Sequence, residues 1–234
     1  MTLRWLLLVL FVVLPAAPAR ADTPDPAAAL LLDYQAAQAF RDRLRRSVAL
    51  LRVEAAVLPG CDPDFRPVVL GAATLVRLPG DRPPVWLTAA PLVRGAHRVT
   101  LLRDAEHGTE ARVVRELDGP AVAVLEPSRP DALAGLVPLA VDATPEALDP
   151  GRPVFTLDNL ASGLEVLLPG RVDELAEPPL VDLRVVSFTF GAGQPLVDAS
   201  GRFLGLCFRH RTATDARCFA SRAADVVALL APQD

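Results

Sequence analysis

The feature that most limits what this chain can become is a succession of short apolar runs, each closed by Gly, Pro or Asp. A first set covers residues 48–57, 68–78, 85–88, 99–102, 112–117 and 122–125. A second covers 136–141, 153–157, 164–172, 180–190 and the two runs that flank Asp198, Ala199, Ser200 and Gly201. Short runs rich in Val and Leu, broken by turn residues and without intervening helical patterns, predict an all-β sandwich or barrel. They argue against a parallel α/β sheet, whose crossovers need helices. The Pro- and Asp-rich stretch 126–131 is the natural joint between the sets, so the expected division is 48–130 and 131–234. No internal repeat has a recognisable period.

Helices are expected at both ends of this β region. Leu31, Leu32, Tyr34, Phe40 and Leu44 recur near helical spacing within 22–47, and Arg41, Arg43, Arg45 and Arg46 gather where cations suit a helix carboxyl end. Those arginines read as a solvated face. After Cys218, residues 221–230 read as a closing helix capped by Ser221.

The amino terminus has one early cation, Arg4, an apolar run from Trp5 to Leu14, then Pro15 and the exit Ala19-Arg20-Ala21. This is the pattern of a signal peptide removed after Ala21, which implies an exported, periplasmic or secreted chain beginning at Asp22. The run is too short for a membrane helix, which needs roughly 20 residues, and no later stretch is long enough. With 51% hydrophobic and 22% charged residues the chain can bury a core. A net charge of −4 gives no basic surface for nucleic acid. All 24 basic residues are arginine, read as codon bias of a GC-rich genome. Of three cysteines, Cys207 and Cys218 close a loop centred on Thr212 and Ala213. A hairpin turning there would set them opposite each other, so a disulfide between them is expected, with Cys61 left over in a turn. No His or Cys spacing suits a metal, and no cofactor is expected.

The segment PLVDASGRFLGL, residues 195–206, reads as strand, tight turn, strand. With the Gly-Ala-Gly-Gln that precedes it, this segment resembles the GNSGGPLV elbow of trypsin-like serine proteases, above all the bacterial high-temperature-requirement branch. Two earlier segments are similar to that family as well: VWLTAAPLV at 85–93 resembles its LTAAH strand end, and AVAVL at 121–125 its DLAVL strand. The resemblance implies two packed β-barrels with a helix at each end, over about residues 47 to 230. It also implies a triad in the order His, Asp, Ser, but here those positions hold Pro91, Ala121 and Ala192. The oxyanion positions hold Phe190 and Gln194 where the family has glycines, and a Cβ there resists the backbone that aims the donors. The three losses are mutually consistent: without an imidazole, a buried aspartate would be an uncompensated charge.

The remaining histidines, His97, His107 and His210, sit in loop-like surroundings and read as solvated. Cys207 as a substitute nucleophile would lack a base. The expectation is an inactive homologue that binds a protein or peptide partner, by strand addition in the cleft between barrels. The chain ends soon after Leu230, so no appended peptide-binding module is expected. A serine-type endopeptidase or other hydrolase using non-standard residues is the alternative, and an unrelated exported sandwich a third.

Overall fold

The computed structural model describes residues 30, 33–56, 67–158, 165–174, 180–185, 192–211 and 216–231. Helix α1, Tyr34–Arg45, starts at Asp33, whose carboxylate accepts the N–H groups of Gln35 and Ala36, and carries Arg43 and Arg45 in its last turn. Its apolar side is buried: Phe40 and Leu44 are inaccessible, and the Phe40 ring meets Phe155 edge to face at 5.5 Å. Residues 22–29 of the expected helical segment, and the whole signal segment, lie outside the described residues.

Strands then follow much as the apolar runs predict: β1 Val48–Ala55, β2 Val68–Arg77, β3 Val85–Ala89, β4 Ala96–Leu102, β5 Gly108–Leu117 and β6 Val122–Pro127. The antiparallel pairings run β1-β4-β5-β6-β3-β2, and a further pairing of β2 with β1 closes the sheet on itself. Its interior holds Leu51, Val53, Trp86, Val99, Leu101 and Leu125. A four-residue helix, α2 (Ala90–Val93), follows β3 directly, with proline in its first turn.

The run at 136–141, expected to open the second set, behaves differently. Only β7, Leu139–Ala140, forms, and it pairs in parallel with Val76 and Arg77 of β2 in the first sheet. The next residue, Val141, bridges to Phe203 of the second sheet. Residues 139–141 are therefore attached to both barrels.

The second barrel is closed by β8 Pro153–Asp158, β9 Val166–Glu174, β10 Leu180–Val185, β11 Gln194–Val197, β12 Phe203–Arg211 and β13 Ala216–Arg222, in the order β10-β13-β12-β11-β8-β9. It encloses Val154, Val172, Leu196, Leu204, Cys207 and Ala220. The largest cluster belongs to neither barrel alone: Phe40 and Leu44 of α1, Ala72, Val76 and Leu87 of the first barrel, and Phe155, Val197 and Phe203 of the second pack together.

Two sequence expectations need correction. Ser221 does not cap the closing helix. It is the partner of Leu206 in β13, fully buried, and its Oγ accepts the Leu206 N–H. Helix α3, Ala223–Leu230, starts one residue later at Arg222, whose guanidinium instead pairs with Asp225. The β12–β13 register sets Cys207 opposite Ala220 and Cys218 opposite Arg209, because the connection is centred one residue later than Thr212 and Ala213. The two cysteines are thus diagonal neighbours, for which a separation of roughly 7 to 8 Å is typical. A disulfide bridges Cα atoms about 4.4 to 6.8 Å apart, so the opposed placement from which the pairing was expected does not hold. Cys61 lies outside the described residues.

Candidate functional site

The two barrels meet where the elbow at Ala192 and Gly193 docks on β2; two hydrogen bonds cross that junction, and one more on each side braces it. The Ala72 N–H donates to the Ala192 carbonyl at 2.9 Å, and the Gly193 N–H donates to the Cys207 carbonyl at 2.8 Å. The Thr74 hydroxyl donates to the Gly193 carbonyl at 3.1 Å, and the Thr88 hydroxyl to the Ala72 carbonyl at 2.7 Å. Both threonines are fully buried, so each satisfies its own donor while tying one chain segment to another. Gly193 sits at φ +90°, and a Cβ on it would lie 2.1 Å from the Ala72 carbonyl oxygen. Only glycine fits there.

Contacts around the other two positions lead to the same place. Pro91 lies in the first turn of α2 and is exposed. On one side of it, the Ala90 N–H donates to the Ala121 carbonyl at 2.8 Å. On the other side, the Leu92 side chain reaches Gly71, whose built Cβ would lie 2.5 Å from Leu92 Cδ1 and 3.0 Å from the Ala192 carbonyl oxygen. Ala121 ends the turn before β6 and is the non-glycine residue with positive φ, +53°, among those described. Three methyl or ring side chains thus stand at the positions where the resemblance puts a base, its orienting acid and a nucleophile. None of them can transfer a proton or attack a carbonyl. Gln194 is buried at the start of β11, opposite Cys207. Phe190 lies outside the described residues, as do Ser187 and Thr189.

Of the three histidines, His107 lies in a loop as expected and the other two lie in strands. His97 is in β4 and exposed, and His210 is in β12 opposite Arg217. His107 precedes β5, exposed, with Nδ1 2.7 Å from Asp104 Oδ1. That contact holds the Asp104 carboxyl well below the usual range. Among the described residues no group of three or more His, Cys, Asp or Glu is arranged to hold a metal ion, and no helix is long and apolar enough to cross a membrane.

Sequence reading passed over a charged cluster beside the junction. In the turn from β11 to β12, Asp198 Oδ1 accepts the Ser200 N–H, the Ser200 hydroxyl and the Arg202 N–H, and Oδ2 faces the Arg202 guanidinium. The same guanidinium lies 3.0 Å from Asp142 Oδ2, just after the bridging Val141. Both carboxylates are buried, which alone would raise their pKa values. The bonds from Ser200 and Arg202 to Asp198, and from Thr144 to Asp142 with the Arg202 charge, outweigh burial and hold both below the usual range. Arg43 of α1 donates to the Ser200 carbonyl, docking the helix on this turn. The signal available in the sequence was the spacing of Asp198, Ser200 and Arg202 within one turn. The partner Asp142 is too distant in the chain to be found that way.

No known family profile matches the chain, and no curated protein matches it. Solved structures do. The Rv3671c protease from M. tuberculosis, in its active form, is 24% identical with a TM-score of 0.61, over 96% of this chain and 93% of that one. The MamO protease domain from Magnetospirillum magneticum is 18% identical with a TM-score of 0.59, over 82% of this chain and 98% of that one. The HtrA-type protease AlgW, solved with a tripeptide, is 18% identical with a TM-score of 0.60, over 79% of this chain and 59% of that one.

Proposed function

We propose that this chain, which has the two-barrel fold of the trypsin-like proteases, is an exported homologue that binds a protein or peptide partner without cutting it. The observation that carries this reading is the chemistry of Pro91, Ala121 and Ala192. The backbone around them is tied together by hydrogen bonds, while none of the three side chains has a titratable or nucleophilic group. A junction that keeps its shape and lacks its reactive atoms retains a surface for an extended chain. It lacks the proton transfers that acyl transfer requires.

The test is direct. Mature protein should neither cleave casein nor react with a fluorophosphonate. Restoring Pro91→His, Ala121→Asp and Ala192→Ser together should give little activity until Phe190→Gly and Gln194→Gly are added, because the oxyanion donors depend on glycine at those places. Labelling of the unmodified protein, abolished by a change at Cys207 or His210, would overturn the reading in favour of a hydrolase with non-standard residues. Export is checked by the amino terminus of the mature protein, expected at Asp22.

A further inference from the structure

We draw no further inference here: the strongest candidate, the edge of β2 at Val68, Val69 and Leu70, three consecutive exposed apolar residues close to the elbow, carries nothing, because nothing in the structure shows what covers it.

Discussion

Gly193 and Ala121 are the two residues whose backbone the fold strains against. At Gly193 a methyl group would be driven into the Ala72 carbonyl at a positive φ, and both effects act against Gly193→Ala. A loss of about 2 to 4 kcal/mol is expected from the collision and the conformation together. Ala121 already carries a side chain at φ +53°, so Ala121→Gly should stabilise by about 0.5 to 1 kcal/mol, less what the freer unfolded chain takes back. Thermal unfolding followed by circular dichroism separates the two by sign, and a destabilised Ala121→Gly would show that the turn is not strained. The sequence marked Ala121 by alignment and carried Gly193 only within the Gly-Ala-Gly-Gln segment. It could not reveal that one is held by shape and the other under strain, because φ angles are set by the approach of β2 and of α2.

The turn Asp198–Arg202 acts as an element, joining β11 to β12 while anchoring α1 through Arg43 and the segment after β7 through Asp142. Asp198 and Asp142 have folded pKa values depressed below the unfolded value of about 3.9. Their contribution is therefore complete above that value and is lost as pH falls through the depressed folded values. Asp198→Asn should lower the urea midpoint at neutral pH and flatten the decline below about pH 4. A variant that loses stability on acidification as steeply as the parent would exclude Asp198 as a source of that decline. At this scale the strands were legible from their apolar runs, since alternation marks a half-buried ribbon. Their ends and partners were less so: Ser221 looked like a cap because only its neighbours in sequence were visible, and strand pairing claimed it. The same one-residue uncertainty in a turn moved Cys207 and Cys218 from opposed to diagonal.

At the scale of the whole molecule, the largest buried cluster draws on both barrels and on both α1 and α3. One cooperative transition is expected, with Trp86 inside the first barrel reporting the same midpoint as far-ultraviolet circular dichroism, which senses both barrels. A fluorescence change well separated from the dichroic one would mean that the barrels unfold independently. Two barrels and two flanking helices were readable from three degraded segments in order. The short pairing of β4 with β5, limited to three residue pairs, was not, since register depends on partners distant in the chain. Because Leu139 and Ala140 are bonded to the first sheet and Val141 to the second, the spacing between barrels is a fixed dimension rather than an adjustable one. A partner bound as proposed would meet a surface that does not adjust and would surrender its own conformational freedom there, so a stiff or already extended chain holds an entropic advantage over a floppy one of equal chemistry.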